Sequence, residues 1–201
     1  FAPHVETASG MILPDDYLRA TAAATHEVGA LFVLDCIASG AMWVDMRATG
    51  VDVLVSAPQK GWSGSPCCAF VMLSELARER IDGTTSTSYA ADLKKWLQVM
   101  EAYETGSHVY HTTMPTDALA RTRDAMLETR ARGFAKLRAE QEQIGAEIEH
   151  ALHELARAPG ATVLRVAVHE QQRQGVRVLR ARVNEVDRLI VDAGAEVRKL
   201  V

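Results

Sequence analysis

The stretch Ala30-Leu31-Phe32-Val33-Leu34-Asp35 decides the fold, because it is an unbroken apolar run of strand length that ends in a carboxylate. Such a run is typical of a strand that is buried on both faces of a parallel sheet. Val51 to Val55 repeats the pattern with Asp52 interrupting it, and Cys68 to Leu73 is a third apolar run. The sequence therefore predicts a central sheet that is mostly parallel.

Helical patterns flank these runs on both sides. Pro14 to Val28 carries apolar residues at helical spacing and is followed by Gly29, a typical helix end. Asp117 to Ala156 is rich in Ala, Leu, Glu, Arg and Gln, which predicts a long helical region broken near Gly133. Thr162 to Val168 then has the pattern of a strand and is expected to begin a second, smaller α/β unit. The fold class predicted from these patterns is α/β.

Composition narrows the range of functions. The chain has 201 residues, 48% of them hydrophobic, and its formal net charge is −4. That charge gives no field that holds a phosphate backbone, so we expect small-molecule substrates rather than nucleic acid. No apolar run approaches the roughly 20 residues that span a bilayer, so we predict no membrane association. Three clustered cysteines without a secretory pattern favour reduced thiols in a cytoplasmic protein.

Two polar side chains follow strands of the predicted sheet. Asp35 ends one strand, and Lys60 follows Val51 to Val55 through Ser56-Ala57-Pro58-Gln59. Ligands of open parallel sheets bind beyond the carboxyl ends of the strands, so a carboxylate and an amine would face one crevice. This is the pair that a pyridoxal-phosphate site requires. Taken alone, however, an aspartate after a strand is more often a turn residue, and a loop lysine is usually solvated.

The chemistry of the cofactor gives each of the two residues a role. A carboxylate beside the pyridine nitrogen keeps that nitrogen protonated, so Asp35 would sustain the electron-withdrawing ring. A lysine amine forms an imine with the cofactor aldehyde and, once displaced by substrate, works as a general base. Lys60 would therefore carry the cofactor as a Schiff base and move the substrate proton.

Four linked segments resemble the class V aminotransferases, in particular alanine–glyoxylate and serine–pyruvate aminotransferases. They are His4-Val5-Glu6-Thr7-Ala8-Ser9-Gly10, Val33-Leu34-Asp35-Cys36-Ile37-Ala38-Ser39-Gly40, Ser56-Ala57-Pro58-Gln59-Lys60-Gly61-Trp62 and Val109-Tyr110-His111-Thr112-Thr113-Met114-Pro115. The resemblance implies a homodimeric enzyme of pyridoxal-phosphate fold type I that moves an amino group from alanine or serine to glyoxylate or pyruvate. It also implies that residues 1–116 are the C-terminal part of a cofactor-binding large domain, 117–157 a helical connection and 158–201 part of a small domain.

The resemblance carries over to individual positions. It implies that Thr7 lies near the cofactor ring oxygen, that Ile37 packs under the ring, and that Gln59 bonds to the ring oxygen or phosphate region. Tyr110 and Thr113 would donate to the cofactor phosphate of the partner subunit. The predicted cofactor-binding set is thus Thr7, Asp35, Ile37, Gln59, Lys60, Tyr110 and Thr113. Without the resemblance, Thr7 would be interpreted as a turn residue, Gln59 as a loop amide, and Tyr110 with His111 as a half-buried aromatic pair.

The sequence also departs from the family pattern. The family's glycine-containing phosphate-binding segment and ring-stacking aromatic precede the His-Val-Glu-Thr stretch, and here the chain starts at Phe1, so we expect missing upstream sequence. No arginine after Gly160 lies in a context that identifies it as the one binding the substrate carboxylate. A lyase or desulfurase reaction, or a non-catalytic remnant that contacts partners through residues 117–156, are the alternatives. His4 and Glu6 could share a face as metal ligands, but no third ligand follows at a matching spacing, so we predict no metal.

Overall fold

The computed structural model describes residues 1–7 and 10–157. Residues Phe1–Gly145 form one compact unit, and a second unit begins at Ala146. Of the second unit only the end of one helix is described. The strand predicted over Thr162 to Val168, and with it the proposed small domain, lies outside the described residues.

Six short strands form two sheets in the described part of the chain. They are β1 Ala2–Pro3, β2 Val5–Glu6, β3 Met11–Ile12, β4 Val33–Asp35, β5 Val53–Ser56 and β6 Phe70–Leu73. The four-stranded sheet has the order β1-β4-β5-β6, whereas β2 and β3 pair as an antiparallel hairpin. In the larger sheet β1, β4 and β5 run parallel and β6 runs antiparallel to β5. The prediction of an α/β fold with a mostly parallel sheet is confirmed.

Six helices accompany the sheets in the part of the chain that the structure describes. They are α1 Asp15–Glu27, α2 Met46–Thr49, α3 Glu75–Asp82, α4 Leu93–Glu104, α5 Thr116–Arg132 and α6 Phe134–Arg157. The sequence predicted α1 and the long helical pair, including the break at Gly133, whose φ of 92° interrupts the helical backbone. Side-chain oxygens cap several of the others: Ser74 accepts from the Ala77 amide at the start of α3, and Asp92 accepts from the Lys95 amide at the start of α4. None of the helices within 1–7 and 10–157 combines the length and apolar character needed to cross a bilayer.

The core of the compact unit lies between α1 and the parallel strands. Leu18 and Ala22 on one face of α1 pack with Phe32, Leu34 and Leu54 from the sheet, and all five are buried. Burying one large apolar side chain stabilises the fold by about 1.5–3 kcal/mol. This cluster fixes β4 and β5 in register, with Asp35 opposite Val55. The core thereby sets which residues follow each strand at the same edge of the sheet.

The amino edge of the sheet contains a hydrogen-bonded network around Asp52. Its Oδ2 accepts from His26 Nε2 and from the Phe32 amide, each at 2.8 Å, and its Oδ1 accepts from Ser74 Oγ at 3.2 Å. Asp52 is only 3% exposed, so these donors replace the water that its carboxylate loses on burial. The residue that interrupts the second apolar run thus joins α1, the start of β4 and the residue that caps α3.

Candidate active site

Parallel pairing brings the tips of β1, β4 and β5 to one edge of the sheet. The His4 amide donates to the Asp35 carbonyl at 2.8 Å, and the Cys36 amide donates to the Val55 carbonyl at 2.7 Å. These bonds extend the ladders past the strand ends and align the segments that follow. The predicted residues Thr7, Asp35 and Lys60 all lie in these three segments. Their placement at one edge follows from strand direction alone.

Asp35 is partly buried at the tip of β4. Its Oδ1 accepts from the Ile37 amide at 2.9 Å, which forms a local turn of the kind aspartate often makes. Among the described residues no donor reaches its second carboxylate oxygen. A carboxylate has about four acceptor positions, so Asp35 keeps the capacity to bind a further cationic or N–H group.

Lys60 lies in a tight loop after β5. Pro58 is fully buried, whereas Gln59 and Lys60 are exposed. The loop is closed by bonds from the Ser63 amide to the Lys60 carbonyl and from the Gly64 amide to the Pro58 carbonyl. Within 1–7 and 10–157 the Lys60 ammonium has no hydrogen bond or ion pair. The backbone around Lys60 is therefore held in place while its amine stays accessible.

The loops that follow β4 and β5 touch each other directly. A Cβ atom added at Gly61 would clash with the carbonyl oxygen of Gly40, so only glycine allows this approach. Next to it, the rings of Trp43 and Trp62 lie 5.4 Å apart between centroids. The segment that carries Asp35 and the one that carries Lys60 are thus packed together as the sequence predicts, although no contact joins their two side chains.

Aromatic side chains and helix α6 support these loops. Phe134 lies 5.2 Å from Trp43 and 6.4 Å from Trp62 between ring centroids, and Trp43 Nε1 donates to the Phe134 carbonyl at 3.1 Å. Gln141 of α6 accepts a hydrogen bond from the Ala41 amide and donates to the Ser39 carbonyl. The start of α6 therefore fixes the loop that follows Asp35.

His4 has a role in the structure that the sequence did not reveal. Its Nδ1 is 2.7 Å from Ser39 Oγ, and the two residues are 3% and 4% exposed. Burial lowers the pKa of His4 below its ordinary value of 6.5, while nearby Asp15 raises it and Arg138 lowers it to a smaller extent. The sequence places His4 in a family-like segment and offers it as a possible metal ligand, but it does not predict this bond, because the partner lies 35 residues away and leaves no local pattern. Across the described residues no group of three or more His, Cys, Asp or Glu is placed to hold a metal ion.

The remaining predicted residues differ in their exposure. Ile37 is half-buried, whereas Thr7 and Gln59 are exposed. Tyr110 and Thr113 lie together, with their hydroxyl oxygens 3.4 Å apart, and Tyr110 is 77% exposed. No described contact joins this hydroxyl pair to Asp35 or Lys60. The roles assigned to all these residues stay predictions.

Behind the hydroxyl pair, His111 is buried and anchors its segment. Its ring lies 4.3 Å from Tyr89 and 4.9 Å from Trp96 between centroids. Tyr89 donates its hydroxyl to the His111 carbonyl. Because His111 is buried and Tyr110 is exposed, the alternative of a half-buried aromatic pair is wrong.

Two of the three cysteines are not activated nucleophiles. Burial raises the pKa of Cys36 to about 11, and burial together with the neighbouring Cys67 raises the pKa of Cys68 to about 11. A thiol needs a lowered pKa to be a thiolate near neutral pH. Cys67 Sγ lies 3.9 Å from Cys68 Sγ and 3.4 Å from Thr122 Oγ1, which are weak thiol hydrogen bonds.

Comparison with known proteins shows which proteins this chain is similar to. No protein-family model matches the sequence. The chain is 34% identical over 131 residues to a 2-aminoethylphosphonate–pyruvate transaminase of Paraburkholderia phymatum, which covers 65% of this chain and 33% of that protein. It is 32% identical over 124 residues to the protein of the same name from Burkholderia mallei, covering 61% of this chain and 31% of that protein. The chain therefore spans about a third of the length of these relatives.

Solved structures show the same fold. An alanine–glyoxylate aminotransferase from Nostoc sp. superimposes with a TM-score of 0.68 at 23% identity, covering 77% of this chain and 40% of that one. A ureidoglycine–glyoxylate aminotransferase from Bacillus subtilis superimposes with a TM-score of 0.64 at 23% identity, covering 79% and 39%. At this level of identity the likeness concerns the fold.

Proposed function

This chain is a relative of the class V aminotransferases, and from that premise we propose that it uses Lys60 to hold pyridoxal 5′-phosphate for the transamination of a small amino acid with a 2-oxo acid. One observation carries the proposal above the others. A carboxylate with a free acceptor oxygen and an accessible amine follow neighbouring parallel strands, on loops that touch through Gly40 and Gly61. These residues fit the two ends of the cofactor that need a partner, the ring nitrogen and the aldehyde.

Asp35 serves the ring nitrogen in this proposal. When bound, the cofactor supplies an electron sink that stabilises negative charge on the substrate Cα. The second oxygen of Asp35 would accept the N–H of the ring, while the Ile37 amide holds the first oxygen in place. The negative charge of Asp35 would favour the protonated nitrogen by Coulomb attraction. Ile37 would pack against the ring and exclude water from it.

Lys60 has two tasks that use the same amine. Its neutral amine would attach the cofactor covalently and, once displaced by substrate, would act as the general base for the substrate proton. The Lys60 ammonium is exposed and has no hydrogen bond or ion pair within 1–7 and 10–157, so it would lose the proton that both tasks require without breaking an ion pair. Gln59, which precedes Lys60 in the chain, and Thr7 are both exposed and would supply the amide and hydroxyl for the ring oxygen.

Tyr110 and Thr113 belong to the proposal as ligands of a second subunit's cofactor phosphate. Their hydroxyls are close together and exposed, and the buried His111 fixes the segment that carries them. Hydroxyl donors suit a phosphate dianion because they supply directed hydrogen bonds. A homodimer follows from this assignment. The division into residues 1–116, 117–157 and 158–201 is proposed on the family resemblance. The cytoplasmic location proposed with it rests on the reduced thiols.

Two kinds of amino donor are proposed. The sequence motifs favour alanine or serine as amino donor and glyoxylate or pyruvate as acceptor. The curated relatives act, by their names, on 2-aminoethylphosphonate and pyruvate, which favours that donor as the second candidate. The carbonyl product separates the donors: alanine gives pyruvate, serine gives hydroxypyruvate, and 2-aminoethylphosphonate gives phosphonoacetaldehyde, while glyoxylate as acceptor gives glycine and pyruvate as acceptor gives alanine.

Chemical trapping tests the assignment of Lys60. The full 201-residue chain is incubated with pyridoxal phosphate and reduced with borohydride, and the modified peptide is located by mass spectrometry. We expect the label on Lys60 and its loss in Lys60→Ala. Lys136→Ala, which removes an exposed lysine of α6, is the matched control and keeps the label. Labelling spread over all lysines, or unchanged in Lys60→Ala, overturns the proposal.

A further inference from the structure

We propose that His4 is a positioning residue, whose hydrogen bond to Ser39 holds the loop carrying Asp35 and Ile37 against the segment carrying Thr7. The inference deepens the proposed function and rests on it for its effect on the cofactor. The bond joins residues that follow two different strands of the parallel sheet, β1 and β4. It therefore fixes the position of the segment that follows β1 relative to the loop that follows β4.

His4 itself is fixed from three directions. Its amide donates to the Asp35 carbonyl at 2.8 Å, and its carbonyl accepts from the Leu13 amide at 2.9 Å. Its ring is held through Nδ1 on Ser39 Oγ at 2.7 Å. A histidine with both backbone groups and one ring nitrogen engaged has little freedom to rotate. It is a rigid point from which another loop can be held.

Ser39 transmits this constraint to the loop after β4. Its amide donates to the Cys36 carbonyl at 3.2 Å, and its carbonyl accepts from the Met42 amide at 3.0 Å and from Gln141 Nε2 at 3.4 Å. The loop is thus held at its start by the Ile37 amide on the Asp35 carboxylate, and in its middle by His4. Removing the His4 contact takes away one of the two side chains that hold the middle of the loop, the other being Gln141, and leaves the start of the loop in place.

The charge state of His4 favours positioning over proton transfer. Burial lowers the pKa of His4 and Arg138 lowers it further, whereas Asp15 raises it by less than burial lowers it. The ring is therefore neutral at neutral pH. A neutral ring leaves one nitrogen as an acceptor for the Ser39 hydroxyl. In metal sites, removing a hydrogen bond that orients a ligating group commonly weakens binding about 10- to 100-fold, and we expect an orienting bond beside a cofactor to act in the same way.

Four variants of the full chain isolate the bond: His4→Ala, Ser39→Ala, the double variant and His4→Asn. Asparagine places an amide where Nδ1 of histidine lies, so His4→Asn can keep the hydrogen bond. Asp52→Asn is the matched control, because it weakens a buried network at the opposite edge of the sheet. Each variant is assayed well below its unfolding temperature.

The first measurement is amide hydrogen exchange without cofactor. We expect exchange over residues 36–42 to rise about tenfold in His4→Ala and Ser39→Ala, the scale of one buried hydrogen bond. The double variant should exchange no faster than either single variant, because one shared contact is lost. His4→Asn should stay near the parent, and Asp52→Asn should leave residues 36–42 unchanged. Unchanged exchange in His4→Ala, or additive effects in the double variant, overturns the proposal.

The second measurement is the dissociation constant of pyridoxal phosphate. We expect His4→Ala and Ser39→Ala to weaken binding about tenfold, and Asp52→Asn to leave it unchanged despite its lower stability. If Asp52→Asn weakens binding as much as His4→Ala at equal loss of stability, His4 is only structural and the proposal fails. If the parent chain does not bind the cofactor while the loop responds as expected, the proposed function fails and the holding role of His4 stands.

Discussion

Asp35 and Asp52 lie at opposite edges of the same sheet and differ in how many donors reach them. Asp52 precedes β5, is almost fully buried, and receives hydrogen bonds on both oxygens from three parts of the chain. Asp35 ends β4, is partly buried, and receives one bond from the Ile37 amide, two residues along the chain. Donors within the fold reach both oxygens of Asp52. Among the described residues no donor reaches the second oxygen of Asp35, which can therefore accept from a ligand.

The number of donors distinguishes Asp52, which has a structural role, from Asp35, which is proposed to have a functional one. A buried carboxylate is costly unless hydrogen bonds compensate the lost water, so Asp52 needs its network to exist where it does. A carboxylate that is partly exposed does not need compensation and can exchange water for a ligand. The edge at which each residue lies agrees with this, because ligands of open α/β sheets bind beyond the carboxyl ends of the strands.

The largest effect is expected for Asp35→Asn, which tests the functional role of Asp35 through its effect on turnover. Asparagine keeps the size of the side chain and its bond from the Ile37 amide but removes the negative charge proposed to face the ring nitrogen. Loss of one preorganised electrostatic contact commonly lowers turnover about 100- to 1000-fold. We therefore expect transamination to fall by at least about 100-fold, with the unfolding midpoint close to that of the parent. Steady-state kinetics and thermal unfolding of the same samples measure both, and retained turnover would contradict the assignment.

A smaller effect is expected for Asp52→Asn, and it concerns the stability of the fold rather than turnover. The amide accepts at only one of its two ends, so the donors from His26, Phe32 and Ser74 lose the bonds that they made to a carboxylate, and at least one bond has to reverse its direction or break. Hydrogen bonds to a charged group contribute roughly 1.5–3 kcal/mol, more than those between neutral groups. Denaturant unfolding should show a loss of roughly 2 kcal/mol, while cofactor binding at low temperature stays as in the parent. If Asp52→Asn is as stable as the parent, the structural role assigned to Asp52 is wrong.

Strand direction explains why much of the candidate site was predictable from the sequence. Apolar runs located β4 and β5, and parallel strands necessarily end at one edge, so Asp35 and the Lys60 loop were expected to be neighbours. The break at Gly133 was likewise predictable, because a glycine between two helical patterns is a local signal. The third run, which became β6, gave no sign of its antiparallel direction, because apolar composition carries no direction.

Polar partners far apart in the chain were not predictable. Asp52 looked like an interruption of an apolar run, and its donors at positions 26, 32 and 74 leave no periodic pattern. His4 and Ser39 are separated by 35 residues and meet only because β1 and β4 pair. A hydrogen bond of this kind depends on tertiary placement, so the sequence gives the groups that can bond but not the pairs that do.

The smallest effect concerns pH and the buried ring of His4. Burial lowers the pKa of His4 in the folded chain, so the unfolded chain binds a proton first as the pH falls. Stability therefore decreases as the pH falls from about the ordinary value of 6.5 toward the lowered value, and at higher pH His4 contributes no slope. Asparagine does not titrate, so the unfolding free energy of His4→Asn should lose this part of the acid dependence. The difference between the two pH curves isolates His4 from the other titrating groups, and parallel curves between pH 5 and 7 would show that burial of the ring carries no such penalty.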